Sequence, residues 1–305
     1  MENRFKRRMT LGQDGNTLVL LLAILGTVFC LFKFLQVGFY LSGVTMSDYY
    51  ENIFGWFSLP ADLSTLVRRP WTIITYMFMH DGVWHMLGNV LWIWCFGYIL
   101  QDLTGNGKLI PLFLYGGLAG GILFLLSYNI FPGLAAQASL ATVVGASAGA
   151  MAIAIATTVL APGYRIFPMI NGGIPLWVLT LVFVIIDVAS ITGTNGGGHI
   201  THIGGAIIGY IFIQQLQKGR DWGAPVNSFF SWVTNLFNPD KKNWKKTAKR
   251  DFHYSVKGTE PFKKIPNITQ KRIDDILDKI NQQGYRFLTD EEKEILKRAA
   301  EDEDV

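Results

Sequence analysis

The sequence predicts an all-α protein that crosses a membrane several times, and three observations carry that reading. Charged residues make up 16% of the 305, against roughly 25% in soluble domains. They are unevenly spread: scarce between Gly15 and Gln217, dense in the first few residues and after Lys218. Six apolar segments also reach or approach the length of about 20 residues that a helix needs to cross a hydrocarbon core. The pattern sets four expected regions: a cytoplasmic leader over 1–15, a membrane domain over 16–220, an interfacial helix with a basic linker over 221–264, and a cytoplasmic helical hairpin over 265–305.

The segments run about Leu18–Leu41, Trp84–Leu100, Leu109–Phe131, Ser147–Leu160, Ile174–Ile191 and His199–Leu216. The basic opening MENRFKRRM is followed by no small-residue cleavage site, so the first segment is expected to be a retained span. Arg4, Lys6, Arg7 and Arg8 precede it, Lys108 lies between the second and third, Arg165 between the fourth and fifth, and Lys218 and Arg220 follow the sixth. All these places fall on one side of a six-span topology, which puts both termini in the cytoplasm. The net charge of +4 therefore reads as a topology signal, with no nucleic-acid partner implied. Cys30 and Cys95 sit in apolar runs and are expected to be small buried hydrophobes. They form no disulfide framework or thiolate zinc site.

The fourth segment has only 14 residues, about 21 Å of helix, which is too short to cross. The charge-free stretch Pro132 to Gly145 precedes it. Irregular backbone at membrane depth survives only inside protein or along a wet cavity. The helix at Ser147 is therefore expected to begin below the surface, in such a cavity.

Polar side chains in a membrane bundle are costly and call for a reason. The second span opens with His80, His85 and Asn89, the last two one turn apart on one face. The fourth opens Gly145-Ala146-Ser147-Ala148-Gly149, and the sixth His199-Ile200-Thr201-His202-Ile203-Gly204-Gly205. In the six-span topology all three openings lie at similar depth on the outer side. Peptide hydrolysis needs a nucleophile, a base in reach and donors for the oxyanion. Ser147 can supply the first, and its helix start adds amides and a positive dipole end. His202 can take the serine proton; His85 and Asn89 can donate to the oxyanion. No acidic residue is evident as a third member, so a Ser–His pair is expected. Helix packing by Ser147 and a structural role for His202 are the plain alternatives.

The stretches HDGVWHMLGNVLWIWCFG, VVGASAGAMA and THIGGAIIGY, in that order, resemble the rhomboid family of intramembrane serine proteases. The resemblance covers about the first two-thirds of the chain. It implies a six-helix rhomboid-type bundle in which Ser147 is the nucleophile and His202 its base, with His85, Asn89 and the Ser147 amide as oxyanion hole. It also implies transmembrane protein substrates cut near the membrane boundary, no metal and no cofactor. A multi-pass protein of the bacterial inner membrane is the expected setting. Three departures stand out: Ala148 after the serine in place of glycine, Met151 where relatives often carry an aromatic ring, and Pro70-Trp71-Thr72 where the family often has Trp-Arg.

Two other functions fit parts of the pattern. A histidine-rich membrane metalloenzyme would use the pairs His80/His85 and His199/His202, though a di-iron site of that kind needs more ligands. A catalytically inactive rhomboid relative that binds or routes membrane proteins would be expected to lack the serine or the histidine. Asp187, near the outer end of the fifth span, is expected to be a snorkelling surface acid or else a group near the pocket. The run Gly193 to Gly198 is the most flexible stretch near the candidate site, and the resemblance makes it part of a mobile cap and lateral gate.

Beyond Arg220, Phe229, Phe230, Trp232, Leu236 and Phe237 suggest a helix lying in the interface, and Lys241 to Arg250 suit anionic membrane lipids. Ile273, Ile276, Leu277 and Ile280 then fall on one stripe up to Gly284, and Thr289 with Glu292 forms a capping box. Such a hairpin has little core of its own and is expected to lean on the membrane domain or a partner.

Overall fold

The computed structural model describes residues 16–167, 169, 172–193, 195–236 and 270–302. The leader cations Arg4 to Arg8, Phe237 and the basic run Lys241–Arg250 lie outside the described residues. The chain divides into two units, Met1–Phe237 and Asn238–Val305.

Every expected span coincides with a helix of the first unit: α1 (Thr17–Leu41), α5 (Val83–Thr104), α6 (Leu109–Ile130), α8 (Ser147–Leu160), α9 (Leu176–Ser190) and α10 (Gly196–Gln217). Among the described residues, three stretches are long and apolar enough to cross a membrane: Thr17–Leu41, Val83–Thr104 and Asn106–Ile130. Helices α8 and α9 are apolar but shorter, so helix length does not by itself carry a count of six. Asn16 starts α1 by accepting from the amides of Leu18 and Val19. Leu20, Leu31, Phe34 and Leu41 stand exposed along α1, as a helix facing lipid requires. Cys30 is exposed as well, beside the exposed Leu31, which corrects its expected burial.

Helix α8 is the centre of the bundle. Nine of its 14 residues are buried, and it packs against α5, α6, α9 and α10. Small residues permit this crowding. A Cβ at Gly205 or Gly209 of α10 would lie 2.1 or 2.4 Å from the carbonyl oxygens of Ala148 and Ala152. On α6, a Cβ at Gly116 or Gly120 would meet the same two alanines at 2.5 and 2.6 Å. The helices thus touch backbone to backbone, as lipid-embedded packing favours.

Between α1 and α5 lie α2 (Met46–Asn52), β1 (Leu59–Pro60), α3 (Leu63–Arg68) and α4 (Thr72–Thr75). The Arg69 guanidinium sits 4.4 Å from the Trp56 ring centre, and Trp71 stacks on that ring at 6.0 Å. Trp71 Nε1 also donates to the Trp56 carbonyl at 2.8 Å. The loop is therefore anchored by Arg69 and Trp71 with Trp56, despite its departure from the Trp-Arg pattern. After α7 (Pro132–Ala135) comes β2 (Thr142–Val143), antiparallel to β1 with Leu59 opposite Val143. This pairing, with the Ala61 amide donating to the Ala141 carbonyl, gives backbone partners to part of the irregular stretch before Ser147.

Past a small hairpin of β3 (Arg165–Ile166) and β4 (Ile174–Pro175) and the α9–α10 pair comes α11 (Gly223–Leu236). Asn227 ties α11 to the Gly107 carbonyl, while Phe229, Phe230, Trp232 and Leu236 stay exposed.

The second unit holds α12 (Gln270–Gln283) and α13 (Asp290–Asp302). They bury Ile276, Leu288 and Ile295 together, with Ile280 and Leu296 alongside. The capping box forms in both directions: the Thr289 amide donates to Glu292 at 2.7 Å and the Glu292 amide to Thr289 Oγ1 at 3.3 Å. The Thr289 amide, with Lys279 in support, holds the Glu292 carboxyl below its usual range.

Candidate active site

Ser147 is the first residue of α8, and no side chain caps that helix. Its first-turn amides therefore lack intrahelical acceptors and face the start of the helix. The approach to Ser147 is held on several sides. The Gly145 amide donates to the Tyr76 carbonyl at 2.9 Å, and the Ala146 amide to His80 Nε2 at 3.4 Å. Gly145 adopts φ +130°, where a side chain would be strained. A Cβ there would also strike the His85 ring at 2.8 Å and lie 3.5 Å from Ser147 Oγ. The glycine thus leaves room for His85 to approach the serine.

A cavity of about 440 Å³ opens at this point, bordered by His85, Asn89, Ser147 and His202 together with Trp84 and Met151. The four residues picked out by sequence, from three separate helices, border one space. Asn89 is buried and donates through Nδ2 to the His85 carbonyl at 2.9 Å; its amide has a second N–H to offer. Ser147 and His202 are half-buried. The structure places His80 ahead of α5 (Val83–Thr104) and not within it; it is buried against Ala146, and burial first, then the neighbouring His85, pushes its imidazole down to about 3. His80 is thereby a neutral strut that accepts from the Ala146 amide. Trp92 of α5 and Phe183 of α9 also border the cavity, with ring centres 4.0 Å apart.

Asp187 requires a correction. It is 2% exposed, which rules out a snorkelling surface acid. Its Oδ1 accepts from Nδ1 of both His199 and His202, each at 2.8 Å. The reason is hairpin geometry: α9 and α10 run antiparallel about a short turn, so Asp187 and His199, six residues either side of 193, come level. His202 follows His199 on the same helix face. Asp187, His199 and His202 are the one group of three potential metal ligands among the described residues, with ligand atoms within 4.8 Å of one another. Two 2.8 Å contacts are hydrogen-bond lengths; a shared tetrahedral ion with bonds of about 2.0–2.1 Å would hold its ligands some 3.3 Å apart.

The glycine run also differs from expectation. Gly196, Gly197 and Gly198 are buried in the first turn of α10. A Cβ at Gly196 would lie 2.1 Å from the Ile191 carbonyl and one at Gly197 2.8 Å from Phe124. These glycines serve close packing, and the link between α9 and α10 shrinks to 191–195, of which Thr194 lies outside the described residues.

A sequence model of the rhomboid domain matches residues 67–218, the stretch that carries all of this geometry. The chain is a rhomboid family member. It is 25% identical over 158 residues to RHOMBOID-like protein 12, mitochondrial, of Arabidopsis thaliana, covering 49% of this chain and 47% of that protein. It is 32% identical over 71 residues to rhomboid protease GlpG of Salmonella newport, covering 23% of this chain and 25% of that one. The chain thus spans about half the length of the plant relative and a quarter of the bacterial one. Residues 263–302 match a separate family of unknown function.

Within this rhomboid the departures find physical places. Ala148 is buried against Gly120 and Gly205. Met151 is buried and borders the cavity beside His202, filling with a pliable thioether the place relatives often give to a ring.

Proposed function

We propose that this rhomboid is an intramembrane serine endopeptidase that cuts transmembrane proteins near the membrane boundary. One observation carries the reading: a single cavity borders a serine at a helix start, a histidine, and two further polar side chains. Ser147 Oγ attacks the scissile carbonyl while His202 takes its proton. The oxyanion is met by the Ser147 amide, His85 and Asn89. His202 then returns the proton to the leaving amine, and water releases the acyl group by the same route. The substrate helix enters between α5 and α9, where Trp92 and Phe183 meet, and unwinds into the wet cavity. Placement in a bacterial inner membrane with both termini cytoplasmic belongs to the same proposal, with anionic lipids met by the basic run after α11.

The test is cleavage of a single-span reporter in reconstituted vesicles. Ser147→Ala and His202→Ala are each expected to abolish cleavage, and the double variant to be no worse. A wild type that cleaves nothing yet captures membrane proteins favours the inactive, routing relative.

A further inference from the structure

We infer that Asp187 is a positioning residue for His202, so that the proposed serine–histidine pair works as a three-residue arrangement with a carboxylate behind the base. The inference rests on the protease reading of Ser147 and His202. Asp187 is the sole charged residue of α9 and is almost wholly buried. A carboxylate so placed is costly unless its oxygens are satisfied. Its Oδ1 meets that requirement with two partners, the Nδ1 atoms of His199 and His202, each at 2.8 Å.

The contact fixes what the other ring nitrogen of His202 can do. A neutral imidazole carries one N–H, and an Asp187 carboxylate selects the tautomer with that hydrogen on Nδ1. Nε2 is left with a lone pair, the form a serine hydroxyl needs in a base. His202 also borders two spaces. His202 borders the cavity that holds Ser147, and it borders a separate apolar groove of about 510 Å³ that holds Asp187. Asp187 contacts the ring at Nδ1, and Ser147 shares with His202 a cavity that Asp187 does not border.

When Ser147 forms its bond to the substrate carbonyl carbon, the Oγ proton passes to Nε2 and an imidazolium forms beside the carboxylate. Asp187 stabilises that cation and keeps the ring aimed; the proton stays on the imidazole and later leaves with the amine. His199 contacts the same Oδ1 of Asp187 at 2.8 Å and limits its rotation. The groups facing His202 are Asp187 from α9, His199 from its own helix, Ser147 from α8 and His85 from α5.

The test compares wild type, Asp187→Asn, Asp187→Glu and Ser147→Ala as detergent-purified full chains, with rates expressed per folded, monodisperse molecule. Two rates are read: labelling by a small water-soluble fluorophosphonate and cleavage of a transmembrane reporter. Asp187→Asn is expected to lower both by about 100- to 10,000-fold through kcat, with KM changed by less than threefold. Asp187→Glu, which keeps a carboxylate, is expected to recover at least tenfold over the asparagine variant. Asp187→Asn labelled within threefold of wild type, while Ser147→Ala stays dark, would overturn the inference and leave the serine–histidine pair standing. Ser147→Ala that labels like wild type would fail the protease reading itself. Wild-type activity lost to a chelator and restored by zinc would make the three residues metal ligands, which also overturns the inference.

Discussion

Gly205→Ala probes the close approach of α10 to α8. A Cβ at this position would lie 2.1 Å from the Ala148 carbonyl oxygen and 3.2 Å from its Cα. Ordinary carbon contacts need roughly 3.5 Å, so α10 must back away from α8 by about 1 Å. Overpacking of this kind costs about 1–3 kcal/mol, against a gain of about 1 kcal/mol in helix propensity where the site is open. The displacement matters more for rate than for folding. His202 is one turn earlier on α10 and Ala148 follows Ser147 on α8, so the shift falls on the proposed Ser147–His202 pair. A misplacement of about 1 Å can cost roughly 100-fold in rate. Gly26→Ala on α1, where a Cβ meets nothing within 4 Å, is the matched control. Thermal unfolding in detergent and fluorophosphonate labelling read the two effects. Gly205→Ala should melt lower and label far more slowly, while Gly26→Ala, an open helical site, should melt no lower than wild type and label at the wild-type rate. Equal melting and labelling in both variants would refute the backbone-to-backbone packing that sets the Ser147–His202 separation.

Three further outcomes follow from particular residues. His80 is held neutral down to about pH 3 in the folded protein, whereas an unfolded histidine takes a proton near pH 6.5. Between those values the unfolded state binds the extra proton, so stability falls as pH drops through this window, by at most about 1.4 kcal/mol per pH unit, and is flat above pH 7. Melting followed from pH 8 to 4 checks this, with His80→Phe expected to lose the His80 share of the slope. His85→Ala and Asn89→Ala should each lower kcat by about 10- to 1000-fold; steady-state cleavage assays that find a change in KM alone would reassign them to substrate binding. Trp71→Ala removes the stack on Trp56 and the bond to its carbonyl, and should lower the melting point by about 1–2 kcal/mol of stability.

Helix placement was legible because apolar length and charge spacing are local properties, and each expected span coincides with a helix to within a few residues. The gathering of His85, Asn89, Ser147 and His202 was legible as a matter of expected depth, since in a six-span topology all open even-numbered spans. Lateral proximity was not, because it depends on glycines such as Gly205 and Gly209 whose close contacts are set by the partner helix. Asp187 shows what a reading along the chain leaves open. Its cost inside an apolar helix was visible, but its two histidine partners emerge only when the α9–α10 turn brings 187 level with 199. The glycine run was read for its flexibility alone: three adjacent glycines suggest a hinge, and in the first turn of α10 they also permit contact with Ile191 and Phe124. The strand pairing of Leu59 with Val143 links segments 84 residues apart, and neither segment alternates long enough to announce a strand.

The account turns on Ser147 being a nucleophile that His202 activates. Peptide mapping by mass spectrometry after fluorophosphonate treatment of the folded, membrane-reconstituted protein tests this most directly. The account predicts one adduct, on Ser147, absent in Ser147→Ala and in His202→Ala although both variants fold. An adduct on another serine, or undiminished labelling of Ser147 in folded His202→Ala, would contradict it.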